Sequence, residues 1–597
     1  MKKFIGYIAA IFIGGLTLLL PIKFASLAVM PEMTSFFPDD WFSYFYITFP
    51  AQSFGIFTGF ALLLTLLSCD AQTWQSLHRT SAGRTTLLWA FALPLAALPG
   101  LIHCDTPDYA IWEIFHLAGI GAYILSFFLL LSRHAQWRKI YVWLLVAGAF
   151  YAVYAGLRQY FVGFDEMREF TLQQYRNGIQ LSSIMQSKLE DDRVFGSFAS
   201  CNVLAGYLIL LLPLVGWKLW RFGENFDPAK VSKPLLAAIG VGLLAIVLFL
   251  TRGRGALLAA VLTAGTFVLT LPMRKIWRIG AVLAAITVII SGAFYARYAG
   301  RGFASMEERV DYLKTSAQMV MEQPLLGYGW GGFFYRHMQL KTSDTDEAAR
   351  DPHNLVASFA TQAGIPAGLL IIVMLIYPMW QLGKQILSRS ANGFAQAVFW
   401  GEMAFFLHAL MDVDLQIPAN MAISGGLLIA ALIRPESQEP QVPTTKLSYL
   451  WLLPTLLLGV ATLGGSYYII RSEIAFDRLM TLIQPQSTEQ LKIRSTPAEV
   501  EKRLKAAVFW RPFSPFPWEC AGDFYLGVRD YRSAERCFNE AQKCTDSRPS
   551  TYARLAQIEL RRGNAKKAKE LIAEAHRRFP GNPRYAKALK DGLSDTL

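Results

Sequence analysis

Histidine, arginine and asparagine gather where long apolar runs begin and end. His353 and Asn354 sit in "RDPHNLVASFATQAGIPAGLL" (350–370), at the mouth of a membrane-length run. Arg252 and Arg254 stand in "FLTRGRGALLA", where one apolar run stops and the next starts. Arg193 and Asn202 lie in "DDRVFGSFASCNVLAGYL", and Arg309 in "ERVDYLKTSAQMVMEQPLLGYGWGGFFYRHM". An imidazole titrates near pH 6.5, so it can take or give a proton under physiological conditions. A guanidinium presents a planar fork that matches phosphate oxygens, and glycines on either side let backbone approach a ligand. The chemistry on offer is an anion clamp with a proton acceptor beside it.

Each residue also has a plainer role. Arg252 and Arg254 can snorkel to lipid head groups. His353 can be a satisfied interfacial histidine. Asn202 and Asn354 each precede an apolar helix and can be its cap. Gly327, Gly329, Gly331 and Gly332 read as turn glycines; no strand precedes them, which argues against a nucleotide loop.

The elements that must hold these residues are membrane helices. The chain has 597 residues, 53% of them hydrophobic, and the apolar ones are concentrated before about residue 470. There, runs of about 17–25 residues recur, each long enough to cross a bilayer. About thirteen such spans are expected, centred near residues 12, 60, 93, 120, 150, 211, 242, 262, 287, 367, 402, 425 and 459. The fold class is therefore all-α: a polytopic membrane domain over 1–470 and a soluble α-helical tail over 471–597. Lys2 and Lys3 before the first run read as part of a retained signal anchor.

Basic residues set the orientation. Alternate loops carry Lys2 and Lys3; Arg79 and Arg84; Arg133, Arg138 and Lys139; Lys218, Arg221, Lys230 and Lys233; Arg274, Lys275 and Arg278; Lys384 and Arg389; Arg434 and Lys446. "HCDTPDY" and "MDVDLQIP", in the other set, carry none. The first set is expected in the cytoplasm, with the amino terminus. An odd span count then places the tail outside. The net charge of +13 is dispersed over separate loops, which argues against nucleic-acid binding.

Two outer loops are long, 161–200 and 296–353, and loops of such length are usually functional or disordered. In the second, Val310, Leu313, Ala317 and Val320 recur at three- and four-residue steps, predicting an amphipathic helix from Met306 to about Gln323. Pro324 stops it and "GYGWGG" makes a turn.

The tail repeats itself. Ala534 and Ala568, Phe538 and Ile572, and Ala541 and Ala575 each differ by 34 positions; Trp518 and Tyr552 share a place upstream. This resembles the tetratricopeptide repeat in period and in its small residues, with a degenerate unit expected at Thr496–Phe513. Such folds bind partners more often than they catalyse. Cys520, Cys537 and Cys544 would sit where a disulfide can survive, but small core residues are the plainer reading. No Cys, His, Asp or Glu cluster has metal-ligand spacing.

Taken in order, four motifs resemble one family. "GSFASCNVLAGYL", "TRGRGALLA", "PLLGYGWGGF" and the pair "HN" followed by "AGIPAGLL" are similar to the motif series of the O-antigen ligase and polymerase superfamily, over about Arg193 to Leu370. One departure stands out: Gly253 occupies the place of the family's serine, so Arg254 is the match and Arg252 is additional. The resemblance implies a glycan donor on a polyprenyl diphosphate, and a lipid, glycan or protein acceptor hydroxyl at the outer face of a bacterial inner membrane. It implies no metal and no cofactor. His353 and Arg254 become the catalytic candidates; Arg193, Arg252, Arg309, Asn202 and Asn354 become substrate-binding candidates. His353 would take the acceptor's proton or touch the diphosphate.

Within that superfamily, a lipid A–core ligase, a glycan polymerase and a protein O-oligosaccharyltransferase differ in acceptor, and the tail mildly favours a protein acceptor or protein partner. From another class, a transporter with a docking tail is disfavoured: the spans are poor in midplane charges and lack paired broken helices. A scaffold alone would leave the outer arginines and histidine unexplained.

Overall fold

The computed structural model describes residues 2–29, 51–176, 192–225, 232–271, 274–280, 283, 286, 287, 304–341, 349–413, 416–433, 449–483 and 496–591. It is 82% helical, and among the described residues no strand occurs, so the all-α class holds. Eight described helices are long and apolar enough to cross a membrane. They are α1 (Lys2–Lys23), α3 (Ser81–Leu101), α4 (Pro107–Arg133), α5 (Trp137–Gln173), α6 (Cys201–Gly223), α7 (Ser232–Leu250), α12 (Ile365–Leu387) and α15 (Leu452–Ile483). Shorter apolar helices are α2 (Ala51–Leu66), α8 (Arg254–Thr270) and α14 (Pro418–Leu432); α13 (Gly393–Ala409) is similar in length. Together these account for twelve of the expected centres. Most of the span expected near residue 287 lies outside the described residues, as do Lys230, Arg434 and Lys446.

The central helix is α4, whose apolar stretch is 89% buried. A helix apolar on every side belongs in the middle of a bundle, and α4 packs against α2, α3, α14 and α15. One carboxylate does sit at mid-helix: Glu402 of α13 is fully buried and accepts a hydrogen bond from Ser424 at 2.7 Å.

Three sequence expectations shift. The stretch from residue 161 is not loop at first, because α5 runs on through a π-helical turn at Gln159–Gly163. The last membrane helix, α15, continues without a break past Arg471 to Ile483, so residue 470 falls inside a helix. The predicted outer-loop helix exists as α9 (Ala304–Glu322), but its apolar stripe points outward. Val310 is 45% and Leu313 50% exposed, whereas Asp311, Thr315 and Ser316 are buried. The inward face is polar because it covers a polar site, where hydroxyl and carboxyl groups find hydrogen-bond partners.

After α9 come α10 (Gly332–Leu340) and α11 (Leu355–Ala363), the latter packed against α12. The glycine-rich turn is welded to the α11–α12 junction. Tyr328 and Gly329 donate to the carbonyls of Thr361 and Gln362 at 2.9 and 3.0 Å, and Ile365 donates to Pro324 at 2.8 Å. Gly327 (φ +68°) and Gly364 (φ +94°) are required by this contact. A Cβ would come within 2.5 Å of the Gln362 backbone at Gly327, and within 2.1 Å of the Leu325 carbonyl at Gly364. Gly327, Gly329 and Gly331 lie in the turn with positive φ as expected, with close approach as the added reason, whereas Gly332 opens α10.

The tail forms helix pairs: α17 (Phe516–Gly527) with α18 (Tyr531–Cys544), and α19 (Pro549–Arg561) with α20 (Ala565–Arg578). Ala534, Phe538 and Ala541 are fully buried, and so are their partners Ala568, Ile572 and Ala575. The upstream unit is the single helix α16 (Pro497–Trp510), which packs on α15 and α17. Cys520, Cys537 and Cys544 are free thiols. The tail is docked on the membrane domain. Ser547 donates to Asp105 at 2.8 Å, and Phe579 packs against Tyr335 and Met338 of α10.

Candidate active site

Residues from three other stretches converge on one carboxylate, Asp412, in the turn after α13. It is 3% exposed. One oxygen accepts a hydrogen bond from the Asn202 amide at 2.7 Å and lies 3.4 Å from the Arg309 guanidinium. The other accepts the Val413 N–H at 2.9 Å and stands 3.9 Å from His353 Nδ1. That last distance is an ion-pair separation, too long for a hydrogen bond. Asn202 in turn accepts from Arg193 at 2.8 Å, and Arg193 Nε donates to the Thr251 carbonyl at 3.0 Å. The chain of contacts therefore runs from the arginine turn to the histidine.

Local structure explains each placement. Ser200, not Asn202, caps α6, accepting from the Val203 N–H. This frees the Asn202 side chain, one helical position further in, to bridge Arg193 and Asp412. Asn354 does cap α11, accepting from Ala357 at 3.0 Å, and it also donates to the Leu410 carbonyl at 2.9 Å. That bond ties the start of α11 to the end of α13, two residues before Asp412. His353 adopts a left-handed backbone (φ +55°), uncommon for a residue with a side chain. Asp351 holds it there by accepting the His353 N–H at 2.9 Å while Ser358 bonds the other oxygen. The Tyr312 ring of α9 stacks on the imidazole at 5.5 Å.

Arg252 and Arg254 lie on the 251–254 turn and both are exposed. Arg252 is also left-handed (φ +51°), and Arg254 is the first residue of α8. A Cβ on the next residue, Gly255, would meet the His408 ring at 3.3 Å, so this turn adjoins the end of α13. The structure thus gathers Arg193, Asn202, Arg309 and His353 around Asp412. Asn354 adjoins that group, and Arg252 and Arg254 sit at its rim.

Asp412, Asp351 and Tyr312 were missed from sequence. Asp412 had a signal: "MDVDLQIP" puts two carboxylates in an outer turn between apolar runs, where a charge needs a reason. Tyr312 lies three residues after Arg309, outside the apolar stripe read from the sequence.

Electrostatics follow from the same contacts. Burial alone would raise the Asp412 carboxyl, but His353, His408 and the Val413 N–H outweigh it and hold it at about 2. Burial alone would lower His353; Asp412 and Asp351 outweigh that and raise it above its ordinary 6.5. Burial raises Asp351. In the same layer burial lowers His337, which lies 3.4 Å from Asp311.

Two cavities flank the site. An apolar groove of about 510 Å³ runs between α12 and α13, from Val356 and Leu410 beside Asn354 to Lys384 and Leu387. A polar cavity of about 210 Å³ opens on the other side of His353.

Fold and site define a multi-pass helical membrane protein with a polar centre built at its loop-bearing ends. A family model described as O-antigen ligase matches residues 239–372. The match bears out the resemblance seen in the motifs: this stretch of the chain is similar to the O-antigen ligase domain of glycan-transferring membrane proteins. It spans Arg252, Arg254, Arg309, His353 and Asn354, begins after Arg193 and Asn202, and ends before Asp412. None of the curated proteins matches the chain.

Proposed function

We propose that this chain transfers a glycan from a polyprenyl diphosphate to an acceptor hydroxyl at the outer face of a bacterial inner membrane. The observation that carries the reading is the Asp412 cluster. It ties a histidine to two arginines beside a groove suited to a lipid tail.

The α12 side of the groove, from Ile372 to Leu387, rises roughly 22 Å at helical spacing, most of the bilayer's hydrocarbon thickness. Its upper end meets Asn354 beside His353. A polyprenyl tail lying there would deliver its diphosphate to the arginines. Arg309 and Arg254 would neutralise charge that grows on the diphosphate as it leaves; Arg193 would hold Asn202 and the 251–254 turn in place. The acceptor oxygen attacks the anomeric carbon, and the bond from that carbon to the diphosphate oxygen breaks with its electron pair. His353 Nε2 takes the hydroxyl proton. Asp412 favours the tautomer with hydrogen on Nδ1 and stabilises the imidazolium that forms, as a buried aspartate does in hydrolase triads. No metal or cofactor is needed in this scheme.

Purified protein in lipid nanodiscs, given polyprenyl-diphosphate glycan and an extract of candidate acceptors, should yield a glycosylated acceptor and free polyprenyl diphosphate by mass spectrometry. An intact donor carried across a sealed bilayer, with no acceptor modified, would sink this reading and favour a transporter. For orientation, alkaline phosphatase fused after Asp591 should be active; an inactive fusion overturns the outward placement of the tail.

A further inference from the structure

We propose that the polar cavity behind His353 is a subsite for one uncharged, hydroxyl-rich sugar ring, and that Glu113 is its principal anchor. The proposal rests on the glycan-transfer reading and names what that site holds next to its proton acceptor.

The cavity has a volume of about 210 Å³ and is lined by Tyr109, Glu113, Arg350, Asp351, His353 and Gln416, with an apolar back wall at residues 27–29. It is smaller than the roughly 300 Å³ at which drug-sized sites begin, so it has room for a single ring. Glu113 is 7% exposed, and among the described residues nothing hydrogen-bonds its carboxylate. A buried carboxylate without donors is costly, and buried polar groups are nearly always partnered. Its neighbour Asp351 is different, because both its oxygens are taken by the His353 N–H and Ser358. Of these two carboxyls, Glu113 is the one with no hydrogen bond among the described residues, and it lines the cavity.

The chemistry of the lining selects the occupant. A sugar ring has several hydroxyls that donate to a carboxylate and accept from an amide or a guanidinium. A lone serine or threonine hydroxyl would use few of these groups. Arg350 lines the same cavity, and His353 is already matched to Asp412. A phosphorylated ring is bulkier than one plain ring and would bring an anion beside the buried Glu113 and Asp351 side chains, an element of specificity against it. The diphosphate is drawn instead to the arginines. The ring can be the acceptor sugar or the donor's first sugar, since both must lie against His353 during transfer.

Binding and turnover test this separately. The probes are methyl glucoside, methyl galactoside, methyl N-acetylglucosaminide and glucose 6-phosphate, with full-length protein in nanodiscs and saturation-transfer NMR. At least one neutral glycoside should gain signal with the unaltered protein, and glucose 6-phosphate should not. The signal should vanish in Glu113→Leu and in Ala28→Phe, which fills the back wall, and persist weakly in Glu113→Gln. Absence of signal from every neutral glycoside, or equal signal in Glu113→Leu, overturns the subsite. So does binding of glucose 6-phosphate as strong as that of the neutral rings. In steady-state transfer, Glu113→Leu should raise one KM by about tenfold or more and leave the other near its starting value. A raised acceptor KM places the acceptor sugar in the cavity, and a raised donor KM places the donor's first sugar there. Unmoved KM values with transfer intact overturn the subsite and leave glycan transfer standing. Glu113-dependent binding without any transfer would instead overturn glycan transfer alone.

Discussion

Two buried charge centres in this molecule are built to opposite plans. Where the tail docks on α15, Arg511 and Glu473 form an ion pair with side-chain exposures of 1% and 0%. The guanidinium lies 4.5 Å from the Phe476 ring and 4.8 Å from that of Trp112. Around Asp412 the carboxylate is equally buried, but its partners Arg309 and His353 are 29% and 35% exposed. The first centre is closed and fixes one domain against another. The second spends one carboxylate on several partners and leaves their far sides open. An occluded pair serves register; a buried anion beneath half-open cations presents chemistry to a ligand.

Substitutions can break that contrast, and the largest effect is expected at His353. His353→Ala should lower transfer by about 10²–10⁴-fold, the usual contribution of a positioned acid–base group, with membrane insertion unchanged. Near-normal turnover in nanodiscs would reduce His353 to a packing role. Asp412→Asn should cost less, about 10–100-fold, and should also move the pH profile. A general base must be neutral, so the rate should fall as pH drops through the His353 pKa, which lies above 6.5 in the intact site. Without the Asp412 charge, burial dominates and the pKa falls, so this acid limb should shift to lower pH. A rate that instead declines as pH rises through that region would mean that His353 works as a cation on the diphosphate.

The rim comes next. Arg254→Lys keeps the charge but loses the two-pronged grip, and should cost about tenfold or more, approaching the roughly 10²-fold of a lost transition-state donor. Arg252→Lys should be milder. Reversed severities would show that the motif alignment is off by two residues, and two harmless variants would leave both arginines as lipid anchors. The smallest effect on turnover is expected at the closed centre. Arg511→Met should destabilise the docked tail by about 3–5 kcal/mol, the cost of stranding a buried partner, seen as earlier thermal release to protease. Arg511→Met with Glu473→Leu should recover part of that loss, because buried Asp108 also faces Arg511. A large fall in transfer per folded molecule in the double variant would mean that the two centres are coupled after all.

Much of the site was legible because motif residues are constrained locally. The pair His353–Asn354 could be placed at a helix mouth because an N-cap next to an apolar run has a sequence signature. Arg254 could be placed at the start of a helix for a similar reason, since a glycine-flanked turn separates two apolar runs. Asp412 was not legible as the hub, because nothing in "MDVDLQIP" says which loops meet it. Its partners lie 210, 103 and 59 positions away in sequence, at Asn202, Arg309 and His353. The inverted face of α9 misled for a related reason: periodicity tells which residues share a face, not whether the neighbour is lipid, water or a polar site.

The sequence by itself determined the helical class, the approximate centres of the apolar helices that fall among the described residues, the 34-residue repeat of the tail, and the identity of the arginines and histidine worth testing. These depend on local length, period and residue type, which act within a few turns of chain. Tertiary structure alone decided that Asn202 would bridge rather than cap, that Asp412 would be the hub of the candidate site, that Glu113 would line a cavity with no hydrogen bond among the described residues, and that the tail would rest on α10. Those outcomes depend on which distant surfaces meet. A carboxylate's protonation and partners are set by everything within a few ångströms, whatever its distance along the chain.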